Sequence, residues 1–326
     1  MSSRRVFLGT MAGGLLIAPR AVRAQPAQTV PIIGILHDKP ASPSAAIRAL
    51  QEGLRRLGYV QGQTIAFEVR FGGGKPETLP NLVRELLNRN VAALVAIGPA
   101  ALRATRDATD TVPIVAIDLE TDPVAAGHAH SLARPGGNVT GLSLDQPGLT
   151  GKWLEFIRAA VPGVRRVALL RDPTTGPWQF AAAQAAAKEL SMDLLTLDVR
   201  YSTNLDEVFR AAMKARSQAL MQLGSPVIEQ NAKQIAEQTL KHELPAISPF
   251  RVFPEGGGLM SYGLNQAEYY RETCVYVDKI LKGAKAADLP IEQPTKFLLI
   301  INLKTAKALR LSLPQSLVAR ADRIIE

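Results

Sequence analysis

The chain has 326 residues, of which 47% are hydrophobic and 21% charged, with one cysteine and a formal net charge of +9. That length suits two globular domains, and a single cysteine excludes an intramolecular disulfide. Four of the 38 basic residues and none of the 29 acids lie in residues 1–24, so the remainder carries only +5. Its basic residues are scattered and aromatics are 5% of the chain, which excludes the basic stripe or stacking platform of a nucleic-acid binder.

The N-terminus, SSRRVFLGTMAGGLLIAPRAVRA, has a basic start, a short apolar stretch and a small-residue end. This is the layout of an export signal, shorter than the roughly 18 apolar residues of a membrane span. Arg4 and Arg5 followed by Phe7 and Leu8 resemble the twin-arginine signature, with Gly9 where a lysine often follows. Val22-Arg23-Ala24 fits a cleavage site, so residues 1–24 are expected to be removed and the protein to work in the periplasm.

PIIGIL (Pro31–Leu36) reads as a strand. The next segment places Ala46, Leu50, Leu54 and Leu57 at helical spacing and stops at Gly58. TIAFEVRF is a strand, and PETLPNLVRELLNRN a helix with Leu79, Leu82, Val83, Leu86 and Leu87 on one side. VAALVAI, PAALRATRDAT and VPIVAI continue as strand, helix and strand. This alternation implies a parallel sheet with helices on both faces. The segment SLARPGGNVTGLSLDQP (Ser131–Pro147) then interrupts the pattern, with Pro135 expected to end a preceding helix.

Beyond it the alternation restarts with the helix LTGKWLEFIRAAVPG and runs through the strands RRVALLRD, MDLLTLDV, QALMQL and LPAIS, with helices between them. A second irregular stretch, PFRVFPEGGGLMSYGLN, leads to the helix QAEYYRETCVYVDKILKG. AADLPIEQPT follows, then the strand KFLLIINL and terminal helices. The expected architecture is therefore α/β, with two doubly wound parallel-sheet lobes joined by three hinge segments. The crossings are expected near Thr140–Leu144, Gly257–Tyr262 and Lys296–Asn302. Residues 30–141 with 263–295 would form one lobe, and 142–258 with 297–326 the other. A surface loop within one larger sheet is the rival reading of the first interruption.

DPVAAGHAHSLARPGGNVTGLS, GGGLMSYGLN and the long block from YVDKILKGAKAADLPIEQPTKFLLIINL to the C-terminus resemble the ABC-transporter substrate-binding protein family that includes tryptophan and tyrosine binders. LETDPV and TGKWLEF are similar to one subgroup of it. The resemblance runs from about Ile32 to Glu326. It implies a type I periplasmic-binding fold with solute held in the interlobe cleft. It also implies a membrane permease and its ATPase as partners, and a monomer. His128 and His130 stand where such proteins usually carry apolar residues, and Ile97 where a glycine is common.

In open α/β sheets ligands lie beyond the carboxyl ends of the strands, and helix N-termini there suit a carboxylate. The strand-to-helix loops supply His37, Asp38 and Ser42, then Gly98, Pro99, Ala100 and Ala101, then Asp118 and Glu120. From the second half come Asp172, Thr174, Thr175 and Trp178, then Gly224 and Ser225, then Phe250 and Arg251, with Tyr262 at the second crossing. Amides at Ala100, Ala101 and Ser225 are candidates for a carboxylate, and Asp118, Glu120 or Asp172 for an ammonium. Trp178, Phe250 or Tyr262 are candidates to stack on a side chain. Asp172 and Ser225 have the competing role of helix caps.

His128 and His130, two apart on an expected helix, do not share a face, so no metal site is expected. G-x-S-x-G and H-E-x-x-H are missing from the sequence, GGGKPE and GGGLMS lack dinucleotide-loop spacing, and there are four histidines. Sequence thus favours an importer's solute-binding component without catalytic residues or cofactor, taking a small carboxylate-bearing solute such as an amino acid. An exported sensory module or an α/β enzyme using the same cleft are the alternatives.

Overall fold

The computed structural model describes residues 30–39, 45–118, 122–143, 146–175, 177–200 and 202–326. The export segment, Ser42 and Glu120 lie outside the described residues.

The first sheet contains β1 (Ile32–His37), β2 (Ala66–Phe71), β3 (Ala93–Ile97), β4 (Ile114–Asp118) and β5 (Val139–Ser143), all parallel, in the order β2-β1-β3-β4-β5. Between them run α1 (Ala45–Arg56), α2 (Leu79–Leu87) and α3 (Pro99–Ala108). Alternate strand residues point to opposite faces. Val95, Ile97 and Val115 therefore join a core with Leu50 and Leu54 of α1, while Leu94, Ala96 and Ile114 join another with Val83 and Leu86 of α2 and Leu102 of α3. Ile97 is buried in the first of these cores. Leu57 is 43% exposed because α1 ends at Arg56 and the chain turns through Gly58 at φ 92°.

The second lobe starts with α4 (Gln146–Ala160) and continues through β6 (Arg166–Arg171), α5 (Trp178–Glu189), β7 (Asp193–Asp198), α6 (Leu205–Lys214), β8 (Ala219–Gln222), α7 (Pro226–Gln230), α8 (Ala232–Lys241), β9 (Ala246–Ser248), α9 (Val252–Glu255) and β10 (Met260–Leu264). α10 (Gln266–Leu281) returns to the first lobe and packs along α1. β11 (Phe297–Asn302), α11 (Leu303–Ala308), α12 (Gln315–Val318) and β12 (Arg323–Ile325) complete the second sheet, ordered β12-β11-β10-β9-β8-β6-β7.

Several local expectations change. Met260–Leu264, expected as an irregular crossing, is strand β10 inside the second sheet. A Cβ at Gly263 would collide with the Pro249 carbonyl, so only glycine lets this strand pass. β11 runs antiparallel to β10, a departure from an all-parallel sheet, and β12 is a strand where helix was expected. The helix expected over Ser225–Glu243 divides at Asn231 into α7 and α8. The helix expected to carry His128 and His130 and to end at Pro135 is not formed: residues 128–135 are irregular, after turns over 123–127 closed by the His128 and Ala129 N–H groups donating to the Pro123 carbonyl. The chain passes between the sheets after β5, between β10 and α10, and between Glu292 and β11. At the third of these, Glu292 still pairs with Leu142 of β5.

Two buried groups give tests. Cys274 on α10 is fully buried, its thiol donating to the Leu50 and Tyr270 carbonyls at 3.3 and 3.4 Å. Burial raises its pKa from 9.0 to about 12, so the reactive thiolate is suppressed. The native protein should not react with a thiol reagent at pH 8, and should titrate one thiol in denaturant. His128 is 8% exposed and its Nδ1 lacks a hydrogen-bond partner. Burial first, then the charges of Arg106 and Arg103, hold its pKa below 6.5. The unfolded chain therefore takes up a proton that the folded one resists. This contribution is complete above pH 6.5 and is lost as pH falls toward the folded value. Denaturant melts of His128→Leu should show a shallower loss of stability below pH 6.5 than wild type.

Candidate functional site

Between the lobes lies a cleft of about 400 Å³, within the range of small-molecule sites. Its first-lobe wall is Asp38, Gly74, Pro76, Leu79, Pro99, Ala100 and Arg103; its second-lobe wall is Asp172, Thr174, Thr175, Arg200, Ser202, Pro226 and Val227. Asp38, Asp172 and Arg200 follow strands β1, β6 and β7, and the prolines stand at or before helix starts. The cleft therefore sits where the carboxyl ends of both sheets meet.

Asp38 is its most constrained charge. Its N–H donates to the Ile97 carbonyl at 3.3 Å, and its own carbonyl accepts from Gly74 at 2.8 Å. The carboxylate lies against Gly98, where a Cβ would overlap it, and Gly98 has φ 96°. Glycine is thus required there twice, by contact and by conformation. Asp38 is 9% exposed and its Oδ1 has no hydrogen-bond partner. His37 Nδ1 stands 3.4 Å from that oxygen, but it accepts from the Lys39 N–H and so offers Asp38 no proton. A desolvated carboxylate oxygen in this state is costly unless a cationic donor arrives.

Asp172, 4% exposed, organises its own loop. Its Oδ1 accepts from the Thr174 N–H at 2.9 Å and hydroxyl at 2.7 Å, and its carbonyl from the Thr175 hydroxyl at 2.8 Å. It holds this turn rather than capping α5, which starts six residues later at Trp178. Ser225 does cap a helix, accepting from the Ile228 N–H at 3.0 Å. The Gly224 peptide is occupied by Gln179 on both sides, at 2.8 and 3.1 Å. α3 opens without a side-chain cap and has Pro99 in its first turn, which leaves amides at its start for a cleft anion.

Of the residues singled out from sequence, Asp38, Pro99, Ala100, Asp172, Thr174 and Thr175 line the cleft together. Gly98 and Ala101 lie directly behind that wall, Ala101 fully buried. His37 turns onto Phe71, ring centroids 6.0 Å apart. Asp118 ends β4; its side chain is outside the described set. Trp178 is 37% exposed outside the cleft wall, and Arg251 is exposed beside Glu255. Phe250 is buried in the core with Phe253. Tyr262 packs on Phe156 and Phe297, and its carbonyl accepts from Trp153 Nε1 at 2.7 Å. Sequence reasoning passed over Arg103 and Arg200, two cations on opposite walls. Arg200 follows β7 as Asp172 follows β6, which was a usable signal. Among the described residues no group of three His, Cys, Asp or Glu side chains is placed to hold a metal, and no helix is long and apolar enough to cross a membrane.

Two α/β lobes, three connecting segments and a cleft at facing strand ends define the type I periplasmic-binding fold. Residues 32–325 match the ABC transporter substrate binding protein family, and the chain belongs to it. That is a family of solute-binding proteins. A tyrosine-binding protein of Clostridioides difficile (strain R20291) is 22% identical over 269 residues, 81% of this chain and 74% of the relative. Among solved structures, an ABC domain from Streptococcus pneumonia in complex with L-Trp superposes with a TM-score of 0.83 at 24% identity, covering 91% of this chain and 100% of that one. A ligand-free, open substrate binding protein with adhesive properties from Clostridium difficile superposes with a TM-score of 0.66 at 20% identity, covering 91% and 99%.

Proposed function

We propose that this chain captures a free amino acid in its interlobe cleft and delivers it to an ABC importer. The unpartnered Oδ1 of Asp38 carries this reading. It is a desolvated acceptor on the wall of a solute-sized space, and an α-ammonium satisfies it. Arg103 and Arg200, with the amides at the start of α3, supply the positive side for an α-carboxylate. Leu79, Val227 and three prolines form the apolar part of the wall, suited to a hydrophobic side chain. The tryptophan-bound neighbour and the tyrosine-binding relative support the same solute class. The twin-arginine-like segment supports export, with the working protein running from Gln25 onward as a periplasmic monomer. There its solute-loaded form docks on a membrane permease whose partner hydrolyses ATP.

A thermal-shift screen of residues 25–326, unfolded and refolded to strip carried-over solute, tests this. A ligand at 100 times its Kd adds about 2.7 kcal/mol. Hydrophobic amino acids are expected to raise the melting point by several degrees. Their N-acetyl and carboxamide derivatives, which lose one charge each, are expected to lose the shift. A shift from a sugar or a dicarboxylate, with none from any amino acid, would sink the reading.

A further inference from the structure

We infer that Lys39 and Glu229 form a latch across the cleft that stabilises the closed arrangement of the lobes without touching solute. Lys39 follows Asp38 on the first lobe and Glu229 lies on α7 of the second, 190 residues away, and the Lys39 ammonium donates to Glu229 Oε2. Both side chains are mostly buried, 21% and 15% exposed, so the pair is less screened than an open surface pair.

Each partner rises from a fixed base. The Lys39 N–H donates to His37 Nδ1 at 3.3 Å, and its carbonyl accepts from Gly73 at 3.1 Å. The Glu229 N–H donates to the Ser225 carbonyl at 3.0 Å, within the turn that the Ser225 hydroxyl caps. Neither side chain belongs to the cleft wall, yet each is attached to a segment that does: Asp38 on one side, Pro226 and Val227 on the other. Rotating the lobes apart separates α7 from the end of β1 and breaks the pair. Its interaction energy therefore exists in the closed state alone, and it shifts the open–closed equilibrium toward closure before any solute arrives. The effect rests on the two-lobed fold and holds whatever the solute is.

The test uses solute-free, refolded protein, so its failure is separate from any failure to find a solute. Spin labels on the exposed Asp107→Cys of α3 and Gln234→Cys of α8, in a Cys274→Ala background, report the interlobe distance distribution. Lys39→Met and Glu229→Gln are each expected to reduce the ratio of closed to open molecules about three- to fivefold, the effect of a modest ion pair. Lys39→Glu should reduce it further, and the swap Lys39→Glu with Glu229→Lys should restore it. The restoring swap also shows that the single variants lost the pair and not the fold. Distributions unchanged in both single variants, or a swap no better than Lys39→Glu alone, would overturn the latch.

Discussion

Asp38→Asn should weaken amino-acid binding by about 2–4 kcal/mol, the cost of removing one charge from a desolvated ion pair, which is roughly 30- to 1,000-fold in Kd. The same substitution should leave the solute-free protein as stable as wild type or more so. Both results follow from one observation: Asp38 Oδ1 is buried on the cleft wall with no partner of its own. In the empty protein Oδ1 is a buried acceptor without a hydrogen bond, and replacing the charge by a neutral amide of the same shape lowers the cost of leaving that group unpaired. In the loaded protein the carboxylate faces an ammonium, and the amide cannot replace a charge-assisted hydrogen bond. Calorimetric titration paired with a solute-free denaturant melt reads both effects. Weaker binding together with a destabilised empty protein would mean that Asp38 is a structural residue, and its place in solute capture would be lost.

Trp153→Ala should cost about 3–5 kcal/mol of stability, the range for emptying a large buried aromatic site, and lower the melting point by on the order of 10 °C. Trp153 is fully buried on α4, in the core that joins α4 and α5 to the second sheet. Its Nε1–H donates to the Tyr262 carbonyl at 2.7 Å, tying the helix that enters the second lobe to the strand that leaves it. Trp153→Phe should cost less, about 1–3 kcal/mol, because the ring volume is largely kept while the β10 carbonyl loses its donor. If alanine and phenylalanine cost the same, the hydrogen bond would outweigh the packing at this site.

The alternation of strands and helices was legible because each element carries its own period. Leu79, Val83 and Leu86 recur on one helical face, and the five buried residues of β3 form an unbroken apolar run. β10 was not legible. Its Met-Ser-Tyr-Gly-Leu sequence has little strand character, and the reason for Gly263 is a clash with Pro249 that exists only once the sheet is assembled. The three residues of β12 are likewise set by pairing with β11.

The site divides in the same way. Asp38, Pro99, Ala100, Asp172, Thr174 and Thr175 could be found because they follow strand ends, and the fold places strand ends at the cleft. The aromatic candidates could not be sorted, because neighbours distant in sequence decide whether a ring faces core or cleft. Phe253 lies in the same core as Phe250, and Phe156 with Phe297 holds Tyr262. The role of Ser225 turned on whether its hydroxyl was already committed, and it is, to Ile228. Arg103 reaches the cleft from the second turn of α3, beside a helix start where the sequence had pointed to backbone amides alone.

The most direct measurement is a crystal structure of residues 25–326 with the amino acid that stabilises them most. The expected result is the solute between the lobes with its ammonium nitrogen at hydrogen-bonding distance, about 2.7–3.2 Å, from Asp38 Oδ1, and its carboxylate directed at Arg103, Arg200 or the start of α3. A solute bound outside the cleft, or inside it with Asp38 still unpartnered, would contradict the assignment.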